Sequence, residues 1–197
     1  MTYHPNFFTG EDKGKRQECM KRMAYMSPHV HGSLLDVGCS EGFYSFAFSK
    51  KCSPIFAIDR EQSLIDTCLK TQEEHGTKIR FAVGDLDQKI DEICEVKWDT
   101  ILYMSIHHHI VSAYGAKKAA EIIQKLSRAG GTMIFDMGQK DEQNCMSHKW
   151  WKMLPQVPDP AGWVKRYLET YTEYGTVVKI GSSTIHGTER VLWKLTT

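Results

Sequence analysis

Short apolar runs alternate with segments of helical periodicity from Leu34 onward, and this alternation is the strongest constraint on what the chain can fold into. Leu34–Val37 and residues 53–58, 78–83, 99–105 and 132–136 read as strands. Residues 43–50, 61–74 and 115–128 read as helices between them, the second with Leu64, Ile65, Cys68 and Leu69 on an inward face. Strands joined by helices imply a mostly parallel sheet covered on both faces. Residues 84–97 read as a polar connection, and His107, His108 and His109 as a loop after the fourth strand.

The two ends add to this frame. Residues 14–27 carry Cys19, Met23 and Met26 at helical spacing, so residues 1–31 are expected to form a helical cover. Short helices are expected around Trp150 and over 159–170. Residues 176–183 and 189–195 are β-rich and joined by a short polar connection, as in an antiparallel pair completing a seven-stranded sheet. The 197 residues fit a single domain, 1–197. A formal net charge of +1 lacks the global basicity of many nucleic-acid binders, which makes nucleic acid the less favoured partner. Six scattered cysteines without a CxxC pair point to reduced thiols. With no signal-peptide pattern and no run of ~18 apolar residues, a cytoplasmic location is expected.

In an open α/β sheet, ligands bind beyond the carboxyl ends of the strands. Asp36 and Gly38 stand at that end of the first strand, and Gly38 and Gly42 let backbone approach a ligand on the way into a helix. Asp59 closes the second strand, where a carboxylate can receive both hydroxyls of a ribose. Asp85 follows the third strand, where it can accept the amino hydrogens of adenine. The same turn has two rival readings. A dinucleotide fingerprint needs G-x-G-x-x-G, but Ser40 stands where the second glycine would be. The literal G-x-S-x-G of a hydrolase elbow comes too early in the chain, before the central strands that should precede it.

These segments resemble those of the class I S-adenosylmethionine (SAM)-dependent methyltransferases. LLDVGCSEGFYS is similar to the first motif of that family, AIDR to the acidic second motif and VGDLD to the segment with the adenine-recognising acid. WDTILYMSIHHHIV and GGTMIFDMG resemble the fourth- and fifth-strand motifs. The resemblance implies a Rossmann-like α/β fold with SAM as cofactor and S-adenosylhomocysteine (SAH) as product. It implies that Asp36, Gly38, Cys39, Ser40 and Gly42 surround the methionine part and that Asp59 holds the ribose. Arg60 would cover an adenine face, Asp85 and Leu86 would meet its edge, and Met104 would lie at the cleft. A narrower resemblance links MSIHHHIVSAYG and IFDMGQKDEQ to methyltransferase domains that cap bacterial polysaccharides, including phosphate-methylating ones. It places the family's two histidines on His108 and His109 as catalytic candidates, with Asp136 replacing a glutamate. Such domains usually work with a sugar-phosphate kinase domain, which these residues lack, so a separate kinase or membrane-associated polysaccharide machinery becomes the expected partner.

A hydroxyl acceptor needs a group to take its proton, whereas a phosphate oxygen needs orienting cations. In an extended loop, His107 and His109 would point one way and His108 the other. Orienting an acceptor, packing on adenine and a structural role all remain open to them. Lys13, Lys15, Arg16, Lys140, His186 and Arg190 are candidate contacts for an anionic acceptor, and phosphate is favoured only if several converge without a neutralising carboxylate. Trp150, Trp151, Trp163, Tyr167 and Trp193 read first as core and second as an acceptor pocket. No Cys/His spacing completes a zinc site, so no metal is expected. The expected reaction is methyl transfer to an oxygen of a small molecule or glycan. RNA methylation, small-molecule N-methylation and a non-catalytic SAM-binding role are the alternatives.

Overall fold

The computed structural model describes residues 6–8, 13–185 and 187–197. Seven strands form one sheet: β1 (Leu34–Val37), β2 (Ile55–Asp59), β3 (Arg80–Val83), β4 (Trp98–Met104), β5 (Gly130–Asp136), β6 (Thr176–Ile185) and β7 (Thr188–Thr196). Their spatial order is β3-β2-β1-β4-β5-β7-β6, with only the last two running antiparallel to their neighbours. The sheet reverses direction of growth at β1, so a crevice opens beyond the carboxyl ends of the neighbouring strands β1 and β4.

Helices α1 (Lys13–Met26), α2 (Phe43–Ala47) and α3 (Gln62–His75) cover one face. Helices α4 (Leu86–Cys94), α5 (His107–Ala129), α6 (Lys149–Met153) and α7 (Pro160–Tyr171) cover the other. Every residue of β1 is buried because both faces are covered, and successive residues feed opposite cores: Leu34 one, Leu35 and Val37 the other. On α1, Cys19 and Met26 are buried as expected, but Arg22 is buried between them. On α3, Ile65, Cys68 and Thr71 form the inner face, whereas Leu69 is exposed.

Two segments differ from the sequence expectation. Residues 84–97 contain α4, whose Leu86, Ile90 and Ile93 are buried at i, i+4, i+7 and whose first turn is capped by Asp85. The three histidines form no loop; they open α5. That helix start has no side-chain cap, and it is held instead by tertiary partners of His107 and His108. At Gly115 the backbone turns to φ 85°, ψ 163°, a conformation reserved almost entirely for glycine. It divides α5 into a short first segment carrying the histidines and a long second one packed on the sheet.

Candidate functional site

A cavity of about 490 Å³ lies at the carboxyl ends of β1, β2, β3 and β4, in the usual size range of small-molecule sites. Gly38, Ser40, Asp59, Arg60, Asp85, Leu86 and Met104 all line it. The loop after β1 is tied to β2 through Gly38 N–H and Cys39 N–H, which both donate to the Ile58 carbonyl. Gly38 has φ +73°, where a side chain would be strained, and a Cβ there would fall 2.5 Å from Cδ1 of Ile106, so that side chain of the β4–α5 turn would have to shift.

Asp59 organises the loop. Its Oδ2 accepts from Ser40 N–H at 2.9 Å and its Oδ1 from Glu61 N–H at 3.1 Å. A carboxylate offers about four acceptor positions, so two stay available to a pair of ribose hydroxyls. Asp85 accepts from Asp87 N–H through Oδ1 at 3.0 Å and from the Tyr114 hydroxyl through Oδ2. Arg60, at the cavity rim, pairs with Glu61 at 3.1 Å, and both side chains are exposed. The cavity size, the glycine contact and the two carboxylates fit the nucleoside and methionine parts of SAM.

Asp36, Cys39 and Gly42 do not line the cavity; they support the loop from behind. Asp36 is buried and accepts from the Ser45 hydroxyl at 2.6 Å; burial pushes its carboxyl up to about 6, against the opposing effect of that hydrogen bond. Cys39 is buried, and the thiol of Cys68 donates to the Ser40 carbonyl at 3.3 Å. Gly42 precedes the first turn of α2.

Helical geometry sets His107 apart from His108 and His109, whose ring centroids lie 4.3 Å apart, in place of the two sides of an extended loop. His107 is buried between the hydroxyls of Tyr103 and Tyr167, at 3.3 and 2.9 Å, and burial pushes its pKa down to about 3. His108 is buried outside the cavity lining, and its Nδ1 accepts from Gly138 N–H at 2.9 Å. His109 alone lines the cavity. Burial, with the charges of Arg60 and Arg190, lowers its pKa to about 4, so it is neutral at physiological pH.

A buried ionic network that the sequence did not disclose lies under the cavity at Ser105. Arg22 of α1 meets Asp136, at the end of β5, at 2.6 Å. Ser105 N–H donates to Asp136 Oδ1 at 2.6 Å, and the Ser105 hydroxyl lies 3.1 Å from Arg22 and 3.2 Å from Arg190. Arg190 is doubly bonded to Glu142, both contacts being 2.7 Å. Ser105 lines the cavity with φ 56°, a left-handed conformation that such a network can hold in place.

The network changes the charge reading. Arg190 is neutralised by Glu142 and Arg22 by Asp136, both pairs buried. Lys140 donates to the Trp151 carbonyl at 2.9 Å and sits over that ring. Arg16 donates to the carbonyl of Phe7, and Lys15 is exposed. His186 and the side chain of Lys13 lie outside the described residues. The described candidates for an anionic acceptor therefore do not line the cavity, where Arg60 is the cation present. No tryptophan lines it either; Trp150 and Trp193 are buried in the core, while Trp151 and Trp163 pack against its edge.

Sheet order, antiparallel end strands and the acid-lined crevice define a class I, Rossmann-like SAM-dependent methyltransferase. The chain matches the methyltransferase-domain family over residues 28–175 and belongs to it. Among curated proteins it is 29% identical over 111 residues to the Escherichia coli O-antigen chain terminator bifunctional methyltransferase/kinase WbdD, covering 56% of this chain and 16% of that protein. A shorter match, 36% over 45 residues, joins 23% of the chain to 25% of a probable cobalt-precorrin-6B C(15)-methyltransferase (decarboxylating) of Methanococcus vannielii. Among solved structures, the bifunctional kinase-methyltransferase WbdD aligns with 99% of this chain and 43% of its own, with TM-score 0.79 and 21% identity. Magnesium protoporphyrin IX methyltransferase from Synechocystis PCC 6803 with bound SAH aligns with TM-score 0.67 and 15% identity, over 93% of this chain and 84% of that one. The cofactor of this family of folds, SAM, is the cofactor of this chain.

Proposed function

We propose that this methyltransferase acts on an oxygen of a small molecule or glycan, and that the oxygen is a hydroxyl oriented by His109. The observation that carries the reading is a neutral imidazole in the cavity wall, beside charges that are already paired. Bound SAM supplies a methyl group on a positively charged sulfur, open to attack by an aligned nucleophile. The chain holds the nucleoside through Asp59 and Asp85 and shapes the floor with Met104 and Ser105. It presents His109 Nδ1 or Nε2 to the acceptor. His109 would orient the acceptor hydroxyl toward that methyl group, take the hydroxyl proton as it is released and pass it on to solvent.

A terminal phosphate is the second reading, favoured by likeness to relatives named as methyltransferase/kinase. It brings a separate kinase and polysaccharide machinery in as partners. All six cysteines are free thiols, which suits a reducing compartment, and the cytoplasm is the proposed site of action. Among the described residues, no helix is long and apolar enough to cross a membrane.

The test follows labelled methyl from SAM into mannose-type oligosaccharides with and without a terminal phosphate, with small RNAs as a third arm. Methylation of the neutral glycan is expected, and His109→Ala should lower its kcat about 100-fold, the usual scale for a lost proton-transfer group. SAH affinity should change by less than about threefold. Labelling of the phosphorylated glycan alone, unaffected by His109→Ala, would establish phosphate as the acceptor and overturn the hydroxyl reading.

A further inference from the structure

Tyr114 is the last residue of the first segment of α5, immediately before the turn at Gly115. It lines the cavity from one side, while Asp85 and Leu86 line it from the other. Its hydroxyl donates across the cleft to Asp85 Oδ2. The other oxygen, Oδ1, is turned into the start of α4, where it accepts from Asp87 N–H at 3.0 Å. Oδ2 is therefore the oxygen on the Tyr114 side of the cleft, and an internal donor already holds one of its acceptor positions.

We propose that Tyr114 is a latch on the nucleoside end of the cofactor site. Its phenol imitates the donor that adenine presents, and the exocyclic amino group competes with it for Asp85 Oδ2. The inference deepens the cofactor-site reading and rests on Asp85 receiving the adenine edge. A ligand without an amino donor at that place leaves the latch shut, so the contact favours adenine nucleosides over those bearing a carbonyl there. The surroundings allow the exchange. Tyr114 is half-buried, lines the cavity and stands next to the break in the helix at Gly115.

The latch predicts an unusual sign: removing a polar contact in the site improves binding. SAH binding to the full chain is measured by calorimetry for the wild type, Tyr114→Phe, Asp85→Asn and the double variant. Tyr114→Phe keeps the ring and should tighten SAH binding at least about 10-fold, the scale of one hydrogen bond to a charged group no longer broken on binding. Asp85→Asn keeps an oxygen to cap α4 but turns a donor towards the adenine amino group, and should weaken binding at least about 10-fold. On that background Tyr114→Phe should change affinity by less than about twofold. Unchanged or weaker binding by Tyr114→Phe, with Asp85→Asn weakened, would overturn the latch and leave the adenine reading standing. Wild-type affinity in Asp85→Asn would overturn both.

Discussion

Asp59→Ala should weaken SAH binding at least 100-fold while the chain stays folded. The carboxylate makes two separable contributions, and alanine removes both. It clamps the cofactor loop through Ser40 N–H and holds the start of α3 through Glu61 N–H. Its two other acceptor positions are proposed to receive the ribose hydroxyls. Hydrogen bonds to a charged group contribute about 1.5–3 kcal/mol each, so loss of two on the ligand side corresponds to roughly 100-fold or more. Asp59→Asn, which retains one acceptor oxygen, should fall between alanine and wild type. Calorimetric titration with SAH reads both. An affinity within about threefold of wild type in Asp59→Ala would remove this residue from the site.

The largest stability effect is expected at Arg22. Arg22→Met leaves the Asp136 carboxylate buried without its ion-pair partner, since both side chains are 2% exposed. Breaking a buried pair from one side costs about 3–5 kcal/mol. For a chain of this size that corresponds to a fall in Tm of roughly 10 °C. Asp136 also accepts from Ser105 N–H, so the loss should reach the cavity floor and weaken SAH binding. Arg22→Met combined with Asp136→Asn removes both charges and keeps an acceptor for Ser105, and should recover much of the lost Tm. Thermal melts of the single and double variants decide the matter. A fall of less than about 2 °C in Arg22→Met would show that the pair is not what holds α1 to the sheet.

The parts of the site that were legible in the sequence are those set by strand ends. Gly38, Asp59 and Asp85 each follow a short apolar run, and a parallel sheet brings such positions to one edge whatever the loops between them do. Helix α4 was obscured by its polar composition, although Leu86, Ile90 and Ile93 already carried the helical period. The histidine helix gave no comparable local signal. Its start has no capping side chain and depends on partners as distant as Tyr167 and Gly138. The network at Ser105 was the least legible, because Arg22, Asp136, Glu142 and Arg190 meet across long stretches of chain. In the sequence Arg190 looks like a cation for an acceptor. In the fold Glu142 neutralises it, and burial without a partner would be too costly for either charge. Tyr114 was missed for a related reason: its position opposite Asp85 follows from how α5 crosses the sheet, 29 residues further along the chain.

The most direct measurement is a crystal structure of the full chain with SAH. The ribose hydroxyls should lie within hydrogen-bond distance of Asp59 and the adenine edge against Asp85 and Leu86. The sulfur should face the space bounded by Ser105 and His109, and the Tyr114 hydroxyl should have left Asp85. SAH bound away from Asp59 and Asp85, or with its sulfur turned from His109, would contradict the cleft as the place where cofactor and acceptor meet.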